Sequence, residues 1–195
     1  MRDLQVKPGD ALIVVDVQRD FLPGGSLAVP RGDEVVSVLN EYLRCFVSQG
    51  LPVIATRDWH PADHCSFRER GGHWPPHCVA GTKGAAFPSE LLLPPSVTLI
   101  DKANLSDQEA YSGFAGTDLA RRLRQAGLTR LFIGGLATDY CVLNTVADAL
   151  GEGFSVVLLV DAVRAVDVQP HDGERAVARM SALGAIVAGL GEVQP

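Results

Sequence analysis

The sequence predicts an α/β fold, with a mainly parallel sheet covered on both faces by helices. Two observations carry this expectation. Short apolar, β-branched runs alternate with longer stretches of helical periodicity. The apolar runs are also nearly continuous, as they are in strands buried on both faces. A chain of 195 residues is long enough for one domain with a sizeable core, so residues 1–195 are expected to form a single domain.

Each element has its own signal. Ala11 to Val17 reads as the first buried strand. From Asp33 to Gln49, Val35, Leu39, Leu43, Phe46 and Val47 recur at helical spacing, and Gly50 ends the helix. Leu51 to Thr56 is the second strand and Val97 to Ile100 the third. Thr117 can cap a helix running through Arg124, and Gly127 can stop it. Leu131 to Leu136 is the fourth strand, followed by a helix over Asp139 to Leu150. Phe154 to Val160 is the fifth strand, His171 to Leu183 a helix, and Ala185 to Ala188 a last short strand. Between Asp58 and Ser96 no regular element is evident, yet two Trp, four His and two Cys fall there. A loop of that length in a compact domain is usually functional.

Composition excludes several classes of protein. Hydrophobic residues make up 47% and charged residues 21%, which is globular rather than disordered. A formal charge of −6 argues against a nucleic-acid backbone or an anionic membrane as the main partner. No apolar run reaches membrane-spanning length. Met1 to Gln5 carries no apolar stretch of the signal-peptide kind, so a cytoplasmic location is expected. Cys45, Cys65, Cys78 and Cys141 are too few and too dispersed for a disulfide framework.

The reactive residues fall at strand ends. Asp16 closes the first strand, Asp58 lies just past the second, Lys102 just past the third, and Cys141 follows the fourth in the first turn of a helix. Open parallel sheets bind ligands outside the carboxyl ends of their strands, so these four side chains should share one rim. Asp16 interrupts an apolar run, where a carboxylate is costly unless paired. A loop-capping Asp is its ordinary alternative, as a solvated lysine is for Lys102 and a buried apolar thiol for Cys141. The helix N-terminus and the shared rim favour a nucleophilic role for Cys141. Gly134 and Gly135 would permit a tight passage from strand to helix.

A metal site is also suggested. Asp58 and His60 are two residues apart, so both point to one side of an extended segment. His77 could complete an Asp-His-His set, which leaves open positions on zinc or iron. A structural zinc on Cys65 and Cys78 with His60, His64 or His77 is the rival arrangement, although no Cys-x-x-Cys knuckle is present. His171, just before a helix, suits a capping or surface role.

Six motifs in order resemble the nicotinamidase branch of the isochorismatase-like cysteine hydrolases. They are Val15-Asp16-Val17-Gln18-Arg19-Asp20-Phe21, Arg57-Asp58-Trp59-His60-Pro61, Trp74-Pro75-Pro76-His77-Cys78-Val79, Asp101-Lys102-Ala103, Tyr111-Ser112-Gly113-Phe114, and Gly135 through Val142. The resemblance runs from about Ala11 to about Asp161. It implies a three-layer α/β/α fold with a six-stranded mainly parallel sheet in the order 3-2-1-4-5-6. It implies a catalytic triad of Asp16, Lys102 and Cys141, and metal ligands Asp58, His60 and His77. Ser66 falls where a variable fourth ligand or a water contact lies in the family; His64 and His73 are extra imidazoles that leave that position open. Phe21 and Trp74 match aromatic walls around a pyridine ring, to which Tyr111 would add. The Leu136–Ala137 peptide matches a cis bond, and the Ala137 and Cys141 amides an oxyanion hole.

The activity implied is hydrolysis of nicotinamide to nicotinate and ammonia in NAD salvage, through a cysteine thioester. One divalent metal, zinc before iron or manganese, would hold the ring nitrogen. The alternatives are an amidohydrolase of the same family acting on another small amide, or a non-catalytic zinc-binding module. A homo-oligomer would suit such an enzyme, although no sequence feature predicts one. The polar stretch Asn104 to Ala110 is expected to be a mobile lid.

Overall fold

The computed structural model describes residues 4–195. The expectation about the N-terminal leader falls partly on residues 1–3, outside the described residues. The strands are β1 (Leu4–Gln5), β2 (Asp10–Val15), β3 (Val53–Asp58), β4 (Thr98–Lys102), β5 (Arg130–Leu136), β6 (Ser155–Arg164), β7 (Ile186–Ala188) and β8 (Val193–Gln194). The α-helices are α1 (Glu34–Ser48), α2 (Leu119–Gln125), α3 (Leu143–Gly151) and α4 (Asp172–Ala182). Six strands form one sheet in the order β4-β3-β2-β5-β6-β7, and every neighbouring pair is parallel. Counted from β2, this is the expected 3-2-1-4-5-6.

Alternation along β2 divides the core. Leu12 and Val14 face Val35, Leu39, Tyr42, Leu43 and Phe46 of α1. Ala11, Ile13 and Val15 face the opposite layer, built from Leu119 and Leu123 of α2, Val146 and Ala149 of α3, and Ala176 and Met180 of α4. One helix therefore covers one face and three cover the other. The long loop after β3 completes the thinner layer with Cys78, Ala85 and Leu91. Among the described residues, no helix is long and apolar enough to cross a membrane.

Several boundaries differ from expectation, for physical reasons. The third and fourth strands in chain order end at Asp58 and Lys102, two residues later than the apolar runs, because Arg57 and Asp58 pair with Asp101 and Lys102. The next-to-last strand of the main sheet reaches Arg164 because β5 and β6 resume pairing beyond an irregularity between Ile133 and Gly135. Gly134 and Gly135 sit at this irregularity, inside β5 rather than in the turn. At Gly135, φ is +130° and a Cβ would lie 2.1 Å from the Val15 carbonyl oxygen, so only glycine fits against β2. The pairing of β1 with β8 has no sequence signal, since each strand has two residues.

Candidate active site

Four strand ends meet as the topology requires, at the carboxyl edge where β2 and β5 run side by side. Asp16 follows β2 directly in the left-handed region, with φ 48°. Asp58 and Lys102 are the last residues of β3 and β4. Cys141 belongs to a π-type turn, Thr138–Val142, that precedes α3. A regular α-helix was expected from Asp139. Single π turns inside helices recur at functional sites, and this one presents the thiol. The Leu136–Ala137 peptide before it is cis.

Lys102 is the hub of the cluster and is fully buried. Its Nζ lies 3.0 Å from Asp16 Oδ2, against Asp58 Oδ1, 3.1 Å from the Ala110 carbonyl oxygen and 3.5 Å from Cys141 Sγ. An ammonium in the interior is costly, and here two carboxylates offset that cost. Burial alone would lower the Lys102 pKa, but Asp16 and Asp58 outweigh it and hold the group well above its usual value. Burial pushes Asp58 upward, but the Lys102 ammonium against it counters that effect, and the carboxyl lies below its usual range. Asp16 moves the other way: burial raises it, more than Lys102 and the Thr56 hydroxyl lower it. The Cys141 thiol is pushed well above its ordinary value by burial, with Asp16 and Asp58 adding to the effect against Lys102. The resting group is therefore a thiol beside a carboxylate of raised basicity, rather than the preformed thiolate that a helix terminus alone would suggest.

Asp16 is oriented by a residue the sequence did not reveal. Thr56 Oγ1 donates to Asp16 Oδ1 at 2.6 Å. The other oxygen, Oδ2, receives no directed hydrogen bond although Lys102 is close, so it is free to accept a proton. Gln18 is a second such residue. Its side chain donates to the Asp58 and Ala85 carbonyls and accepts from the Asp58 N–H, which fastens the end of β3 to the long loop.

The metal set also assembles. Donor atoms of Asp58, His60 and His77 all lie within 4.8 Å of one another. His60 Nδ1 faces the Ala103 carbonyl at 3.2 Å and His77 Nδ1 the Pro75 carbonyl at 2.8 Å. Each Nδ1 therefore carries the proton and each Nε2 keeps its lone pair for a ligand. His60 Nε2 is buried with no hydrogen-bond partner, as a ligating nitrogen would be before its ion binds. These residues fit one divalent ion. Asp16, Asp58 and Cys141 are equally close together, but the Lys102 ammonium already supplies the cation there. Among the described residues, Cys65 and Cys78 join no cluster of three donors, so the rival structural-zinc arrangement is not formed.

The extra imidazoles are accounted for. His64 is buried, with Nδ1 2.7 Å from Ser66 Oγ and Nε2 3.0 Å from the Gln108 carbonyl, so neither nitrogen is free to ligate. His73 is exposed and outside the cluster. His171 is exposed at the N-cap of α4, 3.2 Å from Glu174. The stretch 104–110, expected as a mobile lid, is fastened at three points. The Ser106 carbonyl accepts from the Cys65 N–H at 2.7 Å, the Gln108 carbonyl from His64, and the Ala110 carbonyl from Lys102.

A cleft of about 540 Å³, including its open mouth, connects the two clusters. Phe21, Trp74 and Tyr111 line it together with Ala137, Cys141 and the metal set. The Trp74 indole N–H donates to the Tyr111 hydroxyl at 3.1 Å, which fixes both rings. Tyr140 packs edge-on against Trp74, and Leu27, Val29, Glu109 and Val166 complete the wall. These last five escaped the sequence reading because they gather only when separate loops fold over the sheet edge.

A buried thiol at the edge of a parallel sheet, next to an acceptor carboxylate and a flat, apolar cleft, defines the class of cysteine hydrolases. Comparison with known proteins narrows the class. Residues 10–192 match the isochorismatase domain. The nicotinamidase of Escherichia coli is 39% identical, over 91% of this chain and 93% of its own length. A pyrazinamidase of Pyrococcus horikoshii, solved in complex with zinc, superposes with a TM-score of 0.90 at 52% identity, over 94% of this chain and 100% of that one. PnC1 from L. infantum, solved in complex with nicotinate, gives a TM-score of 0.91 at 35% identity, over 99% and 98%. The chain belongs to the isochorismatase family.

Proposed function

We propose that this chain hydrolyses nicotinamide to nicotinate and ammonia, as a single hydrolase domain acting in the cytoplasm in NAD salvage. The observation that carries the proposal is the arrangement within one aromatic cleft. A thiol with a neighbouring proton acceptor and a donor set for one divalent ion, with Asp58 close to both, lie together at that cleft. That pairing of functions suits a flat ring bearing both a nitrogen to ligate and a carboxamide to attack. The nicotinamidase, the zinc-bound pyrazinamidase and the nicotinate complex among its relatives support the same reading.

Asp58, His60 and His77 would hold the ion, with Ser66 as the candidate fourth ligand. When bound, the ion supplies a Lewis-acid anchor for the pyridine nitrogen. Phe21, Trp74 and Tyr111 hold the ring in the cleft, which places the carboxamide over Cys141. Asp16 takes the thiol proton as sulfur attacks the carbonyl carbon. Lys102 favours the ionised form of Asp16 against the effect of burial and stays close to the sulfur as its charge develops. The Ala137 and Cys141 amides receive the oxyanion. Asp16 returns its proton to the leaving ammonia, leaving a thioester. The same carboxylate then activates the water that releases nicotinate and restores the thiol.

The test is ammonia release from nicotinamide by the purified, zinc-supplemented protein, with Cys141→Ala in parallel. Release by wild type and none by the variant is expected. Undiminished turnover in Cys141→Ala would overturn the nucleophile, and an inactive wild type would overturn the substrate.

A further inference from the structure

We propose that Asp139 is a positioning residue that fixes Val166 over the cleft and thereby limits the size of the pyridine amide accepted. This rests on the substrate reading above. Asp139 lies two residues before Cys141 in the π turn. Its two carboxylate oxygens are both used by consecutive backbone amides of the loop after β6. Oδ1 accepts from the Val166 N–H at 3.0 Å and Oδ2 from the Asp167 N–H at 2.9 Å. Two charge-assisted bonds to adjacent amides set the direction of a loop more firmly than one can.

The loop is fixed from its far side as well. Asp167 sits in the left-handed region with φ 53°, and its Oδ1 accepts from the Gly173 N–H at 2.8 Å. At Gly173 a Cβ would come within 2.5 Å of the Ala165 Cβ, so the start of α4 packs directly on the loop. Between these two anchors Val166 turns inward, lining the cleft and packing against the core layer that contains Phe21 and Ala137. The turn that presents the nucleophile thus also sets one wall of its substrate site. A shift of that wall would change which rings fit while leaving Cys141, Asp16 and Lys102 in place.

The experiment compares kcat/KM for nicotinamide with kcat/KM for ring-methylated pyridine-3-carboxamides in wild type, Asp139→Ala, Asp139→Asn, Val166→Ala and the Asp139→Ala/Val166→Ala double variant. Asp139→Ala and Val166→Ala should each raise the methylated-to-parent ratio by roughly tenfold, the scale of one methyl group in an apolar pocket. In Asp139→Ala the KM for nicotinamide should change more than kcat. Asp139→Asn, which keeps one acceptor, should fall between, and the double variant should not exceed the larger single effect. A ratio within about twofold of wild type in Asp139→Ala, with Val166→Ala altered, would overturn the proposal, because that is the signature of a merely structural residue. Amide hydrogen exchange needs no substrate. Val166 and Asp167 should exchange roughly tenfold faster in Asp139→Asn, and unchanged exchange would refute the clamp even if nicotinamide proved not to be the substrate.

Discussion

Replacing Thr56 by Val tests whether Asp16 is the proton acceptor, with almost no change of shape. Thr56 and Asp16 are both fully buried, and the 2.6 Å bond between them is the directed side-chain hydrogen bond that the carboxylate receives. Valine keeps the β-branch of a strand residue and the methyl that packs near Gly113, so the sheet should be preserved. What is lost is a hydrogen bond to a charged group, worth about 1.5–3 kcal/mol. If all of it stabilises the ionised carboxylate, the ionised fraction of Asp16, and with it kcat/KM on the acidic limb, falls by roughly 10- to 150-fold. The pH profile supplies the second signature. Burial raises the Asp16 pKa and the Thr56 hydroxyl lowers it. Removing the hydroxyl must therefore raise it further, and the acidic limb of kcat/KM should move to higher pH. The assay is ammonia release from pH 5 to pH 9, with thermal melts to confirm folding. A variant that folds and keeps kcat/KM within about twofold of wild type across the acidic limb would refute Asp16 as the base.

Other expectations follow from the same geometry. His77→Ala should lower zinc content and raise KM for nicotinamide in metal-replete buffer, measured by elemental analysis and steady-state kinetics; full zinc occupancy in the variant would remove His77 from the ligand set. Gly135→Ala forces a side chain against the Val15 carbonyl in a conformation only glycine adopts readily, at a cost of roughly 1–3 kcal/mol before any clash. Its Tm should therefore fall by at least about 3 °C, read by calorimetry. Burial lowers the pKa of both His64 and His77 from 6.5, so the folded state binds fewer protons than the unfolded chain. Their contribution is complete above pH 6.5 and is lost as pH falls below it, so Tm of the metal-free protein should drop between pH 7 and pH 5. Asp16, whose raised pKa works in the opposite sense, is taken out of the comparison in an Asp16→Asn background, where a Tm that is flat or rising on acidification across that interval would contradict the buried, neutral assignment.

The rim was legible because each of its residues interrupts something. Asp16 ends an apolar run, Lys102 follows another, and the Asp58–His60 spacing is visible in an extended segment. Thr56 was not legible in the same way. It closes the run Leu51–Thr56 as an ordinary β-branched residue, and its role exists only because β3 lies beside β2 with Val15 opposite Thr56. The π turn was hidden because one wider turn leaves helical periodicity almost unchanged. The anchoring of 104–110 was hidden for another reason. Its three hydrogen bonds use backbone carbonyls, and every polar segment has those. Local chemistry is written in residue types, whereas orientation is written in register and in main-chain contacts that residue types do not encode.

The burial of Cys141 bears on how the protein would age in air. The thiol is 6% exposed and is reached through the aromatic cleft, whereas Cys45 and Cys65 are partly open to solvent. Small oxidants and general alkylating reagents should therefore consume the two peripheral thiols first, and early loss of free sulfhydryl should not track loss of turnover. A reagent that selectively silences the site must fit the cleft lined by Phe21, Trp74 and Cys141. For this chain, shape rather than thiol reactivity decides what can poison it.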